Sequence, residues 1–181
     1  MVSNAGKTRF MIKLIAYLAF IRKQKCLVML NEMSIEDIKL ALLVTVLNNK
    51  EFQKYTGVSI EKPEREVALG IYYNEKGDEI KRSVNEIDGD FDESLKDYIS
   101  RLQEESAEYN SVCKVSKWIE EQLTNTINVV DVCMNYHDED LEAFIRKGLE
   151  TKGIRYFFYD TLKNDLQTLG EWAALKQTTT R

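Results

Sequence analysis

Cys26-Leu27-Val28-Met29-Leu30, followed by Asn31-Glu32-Met33-Ser34, is the stretch that decides the fold. Five apolar residues without a polar interruption are too few for a helix. They read as a strand covered on both faces, as in parallel sheets. The polar residues that follow end the strand. Ser34, with Asp37 three positions on and Glu36 between, is a helix start: a side-chain oxygen for an otherwise unpaired amide, and acids in the positive first turn. The next helix is expected from about Ile35 to Lys54, with Gly57 marking its end.

Working outward from this strand, residues 6–23 predict a helix. Phe10, Leu14, Ile15, Leu18 and Ile21 recur near the 3.6-residue period, and Ala16 and Tyr17 widen the stripe. The run Phe10–Ile21 follows basic residues and invites reading as a leader or a membrane span. It is short, holds Lys13, and lacks a small-residue cleavage site, so a buried helix is the expectation. Downstream, Thr126–Met134 reads as a strand. Residues 138–152 read as an amphipathic helix with Leu141, Phe144, Ile145 and Leu149 inward and Gly153 after it. Ile154–Tyr159 reads as a third buried strand ended by Asp160, and a further helix is expected over 165–180. Strands alternating with helices predict an α/β fold: a parallel β-sheet flanked by helices, with right-handed crossovers.

The middle of the chain reads differently. Pro63-Glu64 fits a helix first turn. That helix either reaches Tyr73 or gives way to a hairpin around Asn74–Asp78, with 67–73 and 79–84 as strands. Residues 92–108 predict a helix with Leu95, Tyr98, Ile99 and Leu102 on one face, and Val115–Leu123 a shorter one.

Composition narrows the class. The chain has 181 residues, a net charge of −5, 44% hydrophobic and 30% charged residues, and a single proline. One soluble domain is expected; disordered, collagenous and disulfide-scaffold classes are excluded. Three cysteines and one histidine build no zinc site of the usual Cys/His kind, and the odd cysteine count points to a reducing, cytoplasmic setting. Cys133 and His137 have the spacing of a thiol–base pair, but a strand-end cysteine and a loop histidine explain them more simply. Residues 1–30 carry +6 and residues 88–108 carry −6. The basic start suits a local phosphate contact, and the acidic run suits a solvated helix face.

Three short segments carry chemistry, each at an element junction. Met1-Val-Ser3-Asn4-Ala5-Gly6-Lys7-Thr8 fits the phosphate-loop pattern except at its first glycine position, which Met1 holds. Gly6 lets backbone amides approach a polyphosphate, and the helix that follows offers its positive end. Lys7 suits the β and γ phosphates, the Thr8 hydroxyl suits Mg²⁺, and Arg9 extends the nucleotide-binding turn. Glu32 sits just beyond the first strand, where parallel sheets bind ligands. Tyr156-Phe-Phe-Tyr-Asp160 is an apolar strand ended by an aspartate, the form that holds Mg²⁺ in nucleotide-hydrolysing sheets.

In Ser3–Thr8, in Leu30-Asn-Glu-Met-Ser34 and in Phe157–Asp160 the chain resembles the RecA-type ATPase core of DnaB-like replicative helicases. The likeness covers residues 1–55 and 126–181, with Glu171–Arg181 similar to the start of the next helix. Residues 58–115 stand outside it as a mainly helical insertion. The resemblance implies ATP or another NTP with Mg²⁺ as cofactors. It implies Lys7 on the γ phosphate, Thr8 and Asp160 on the metal, and Glu32 as activator of the attacking water. It implies single-stranded DNA as a partner and a homo-hexamer when complete, with no membrane. It also implies an incomplete RecA-like P-loop core, cut before the strand feeding the phosphate loop and before the C-terminal strands. A regulatory or loader-type RecA-like ATPase, or a non-catalytic fragment, stays open beside the helicase reading.

Overall fold

The computed structural model describes residues 6–30, 33–85, 89–131 and 138–160. The architecture is α/β. A three-stranded parallel sheet has the order β2-β1-β3, with β1 at Cys26–Leu30, β2 at Ile127–Asp131 and β3 at Tyr156–Asp160. Each β1 residue pairs with one on either side, ending on Leu30 opposite both Asp131 and Asp160. All five β1 side chains are buried. That is the environment the apolar run requires, at about 1.5–3 kcal/mol for each large side chain removed from water.

The two faces of β1 meet different helices. Cys26, Val28 and Leu30 face one layer, built from α1 (Lys7–Ala16), α2 (Ile35–Leu47), α3 (Lys50–Thr56), α4 (Glu64–Leu69), α5 (Leu95–Glu105) and α6 (Ala107–Thr126). Leu27 and Met29 face the other, where Phe144 and Ile145 of α7 (Asp138–Lys152) pack with Ile154. A Cβ on Gly148 would lie 3.1 Å from Ile154 Cδ1, so the bare glycine sets how closely α7 approaches the sheet. Phe144, Ile145 and Gly148 form the inward stripe. Leu149, about 100° further round the helix, is exposed rather than inward.

The first helix buries a different face from the one its periodicity predicts. Ile12, Ile15, Ala16, Ala19 and Phe20 are buried, while Phe10 is 68% exposed and Leu14 and Tyr17 are also exposed. Ile12, Ile15, Ala16 and Ala19 keep the regular helical spacing, so tertiary packing selects this stripe over the one through Phe10, Leu14 and Tyr17. Beyond Ala16, Tyr17–Ile21 widens into a π-helical turn with Arg22 N–H bonded to the Tyr17 carbonyl at 3.0 Å. The extra residue in the turn brings Ala19 and Phe20 inward together. Phe20 then meets Trp118 and Phe52 edge-on, at centroid distances of 5.2 and 6.4 Å.

One expected helix is divided and one boundary is moved: α5 ends at Glu105 and α6 already begins at Ala107, well ahead of the shorter helix expected over Val115–Leu123. Asn48 and Asn49 split 35–56 into α2 and α3, because their side-chain amides take over backbone bonds at the junction. Asn48 donates to the Val44 carbonyl and exchanges two bonds with the Lys62 backbone, and Asn49 caps α3 by accepting from the Glu51 amide. Gly57, in the left-handed region at φ 63°, ends α3 as expected. Ser106 separates α5 from α6. Its buried hydroxyl accepts from the Tyr109 amide and donates to the Tyr73 carbonyl at 2.8 Å. The open choice at 63–84 resolves into both forms: α4 stops at Leu69, and an isolated antiparallel bridge joins Tyr73 to Glu79.

Residues from the 58–115 stretch share the main core. Val58, Val67, Tyr72, Ile80, Leu102, Val112 and Val115 pack in one cluster with Ile12, Ile15, Phe20 and Val28. Within it Lys62 is fully buried, its Nζ 3.1 Å from Glu66 Oε2 and 2.9 Å from Glu108 Oε2. The Glu108 contact is misaligned for a hydrogen bond and is therefore Coulombic. The ammonium also lies 5.0 Å from the Tyr72 ring centroid. The expected helix at 165–180 lies outside the described residues. Among those described, no helix is long and apolar enough to cross a membrane.

Candidate functional site

The site is positioned by one short turn. Arg22–Lys25 links the first helix to β1, and α1 starts at the groove that Met33 lines just past the end of that strand. The first turn of α1 therefore lies at the edge where the strands end. Met33, three residues beyond β1, lines the groove there together with Thr8. The groove has a volume of about 560 Å³. Thr8, Arg9, Ile12 and Lys13 form one wall, Met33, Ala41, Val44 and Thr45 the other, and Glu64 stands at its rim.

The first turn of α1 suits an anion. It contains no acid, and the first intrahelical bond is Phe10 N–H to the Gly6 carbonyl at 2.9 Å. The amides of Lys7, Thr8 and Arg9 precede that bond and lie at the positive end of the helix. Lys7 is exposed and Thr8 is half-buried in the groove wall. Gly6 has an extended φ of 170°, and a Cβ there would meet nothing within 4 Å among the described residues.

The sheet contributes its carboxyl edge. Leu30 stands between Asp131 and Asp160 in register. The crossover from β1 to β2 passes over the α2 face, and that from β2 to β3 passes over the α7 face. In a parallel sheet of order β2-β1-β3 the topological switch point falls between β1 and β3, whose ends carry Leu30 and Asp160, the usual ligand position in open α/β sheets.

Of the sequence-predicted site residues, Gly6, Lys7, Thr8 and Arg9 open α1, and Asp160 ends β3 at the same edge. Ser3, Asn4, Ala5 and Glu32 lie outside the described residues, as do Cys133 and His137. Asp131 escaped the sequence reading, because extending that strand to Met134 hid its likeness to Tyr156–Asp160: an apolar run closed by aspartate. Glu64 also escaped it. Its carboxylate accepts from Arg9 Nη2 at 3.1 Å, across 55 residues of sequence, and no local pattern signals that contact.

The remaining perturbed groups lie away from this edge. Burial on β1 pushes the Cys26 thiol up to about 11, which leaves it protonated and unreactive. Hydrogen bonds from Arg101, then from the Ser83 amide, hold the Glu93 carboxyl below its ordinary value. Glu93 is thus a structural member of the acidic run: it receives Arg101 Nε and Nη2 at 3.0 and 2.8 Å, and Arg101 also donates to the Lys81 carbonyl.

Comparison with known protein families, with curated proteins and with solved structures finds no match to this chain.

Proposed function

We propose that this chain is a RecA-like nucleotide-binding domain that binds Mg-NTP at the first turn of α1 and hydrolyses it. In this reading it is the ATPase core of a DnaB-like helicase, coupling hydrolysis to movement on single-stranded DNA within a homo-hexamer. The observation that carries the reading is the shared groove of Thr8 and Met33. It brings the Gly6-Lys7-Thr8 turn and the end of β1 to one edge of a parallel sheet, with Asp160 ending the adjacent strand. A polyphosphate is the ligand such an acid-free helix start accommodates best.

The chemistry asked of the protein is chiefly positioning and charge. The α1 amides and Lys7 hold the phosphates in line and take up negative charge as it shifts to the leaving oxygen. Thr8 and Asp160 are the residues that would hold Mg²⁺, which would supply positive charge against the phosphates. Glu32, two residues past Leu30, orients the attacking water and accepts its proton.

The test is titration of a fluorescent ATP analogue with Mg²⁺, followed by measurement of phosphate release with and without single-stranded DNA. Lys7→Ala is expected to weaken binding at least tenfold. Glu32→Gln is expected to abolish turnover while binding persists. Equal affinity in Lys7→Ala would sink the phosphate-site assignment, and turnover indifferent to DNA would remove the helicase role.

A further inference from the structure

We infer that Glu64 is a built-in competitor for the phosphate site, an intramolecular anion that holds Arg9 until a ligand's phosphate displaces it. The inference rests on the nucleotide reading above and adds a regulatory contact to it.

Three observations carry it. The first turn of α1 brings no acid of its own, so the negative charge that its positive end and its basic residues call for must come from elsewhere. Glu64 supplies a carboxylate from a distant part of the chain, with Oε2 3.1 Å from Arg9 Nη2. Both residues line the 560 Å³ groove that also holds Thr8, so the ion pair stands at the mouth of the same cavity.

The contact is also poised to break. Arg9 is 83% exposed and Glu64 is 55% exposed, so water competes for both partners. Exposed ion pairs of this kind are individually weak and screened by salt. A polyphosphate carries several charges and is held by Lys7 and the α1 amides as well, so it outbids a single tethered carboxylate. Glu64 is the first residue of α4, whose Val67 is anchored in the core.

The test is the Kd for the fluorescent ATP analogue with Mg²⁺, measured at about 50 mM and about 500 mM salt in wild type and variants. Screening over that range shortens the reach of surface charge several-fold. Glu64→Gln is expected to tighten binding roughly two- to fivefold at low salt, the range set by an exposed ion pair, and less at high salt. In an Arg9→Ala background the same change is expected to do far less. Both residues are exposed, so circular dichroism should report unchanged folding in each variant. Unaltered affinity in Glu64→Gln, or an equal gain with Arg9 absent, would overturn the proposal while a Lys7-dependent site stands. If Lys7→Ala binds as well as wild type, or wild type does not bind at all, the nucleotide reading fails and this inference falls with it.

Discussion

Replacing Lys62 by Met tests how the 58–115 stretch is held to the rest of the domain. Met is close to Lys in length and keeps the apolar stem in place, so the change removes the ammonium with little loss of volume. The ammonium is fully buried and touches two carboxylates, Glu66 and Glu108, whose side chains are 28% and 26% exposed. With Nζ gone, two carboxylate oxygens that lie within about 6 Å of each other face no cation. At an effective dielectric of about 20 two such charges repel by about 3 kcal/mol, and by less than 1 kcal/mol in water. Breaking a wholly buried pair costs about 3–5 kcal/mol. Partial solvation of both acids places the expected loss lower, at about 2–3 kcal/mol, or roughly 5–10 °C in Tm for a domain of this size. Urea denaturation followed by circular dichroism measures it. Adding Glu66→Gln and Glu108→Gln to Lys62→Met should recover most of the loss, because the orphaned charges cause it. A single variant within 0.5 kcal/mol of wild type, or a triple variant no more stable than the single, would refute the reasoning.

Two further outcomes concern pH. Glu93 titrates below its ordinary value of 4.5 when folded, so its contribution is present above that pH and is lost as pH falls. Glu93→Gln should therefore flatten part of the acid limb of a stability–pH curve, and an unchanged limb would deny the Arg101 pair its role. At the other extreme, burial raises Cys26 from 9.0 to about 11 and Tyr72 from 10.0 to about 12. Both prefer the protonated form when folded, so stability is full below pH 9 and falls as pH rises through 9–12. The same burial predicts that Cys113, which is exposed, alkylates in the native protein well before Cys26, as peptide mass spectrometry would show.

How much of this was legible in sequence depended on the range of the interactions involved. β1 was legible because an unbroken apolar pentamer has one common use in an α/β protein. The capping box of α2 was legible because Ser34 and Asp37 act within one turn, and the structure has both reciprocal bonds. The division at Asn48–Asn49 and the boundary at Ser106 were not. The Asn48 amide reaches the Lys62 backbone and the serine hydroxyl reaches the Tyr73 carbonyl, partners that no local window contains. The buried face of α1 was missed although it keeps the regular period: the helix carries two apolar stripes, one through Ile12, Ile15, Ala16 and Ala19 and one through Phe10, Leu14 and Tyr17, and only the tertiary partners decide which faces inward. At the candidate site, Gly6–Arg9 and Asp160 stood out as local motifs, whereas Glu64 belongs to the site only through tertiary packing.

That packing gives the segment Lys62-Pro63-Glu64-Arg65-Glu66 a particular mechanical character. Lys62 points inward, fixed by two carboxylates and the Tyr72 ring. Glu64, two residues on, points outward to Arg9 at the start of α1. Pro63 restricts the backbone between them, and Asn48 clamps the Lys62 amide and carbonyl from α2. A carboxylate on a mobile loop would lose conformational freedom on pairing with Arg9, and that cost would erase so weak a contact. A carboxylate set on a buried lysine anchor has already lost it. The Arg9–Glu64 contact and the Lys62 cluster are thus one device. Loosening the anchor with Lys62→Met should diminish the effect of Glu64→Gln on ligand affinity, even though Lys62 itself is buried away from the groove.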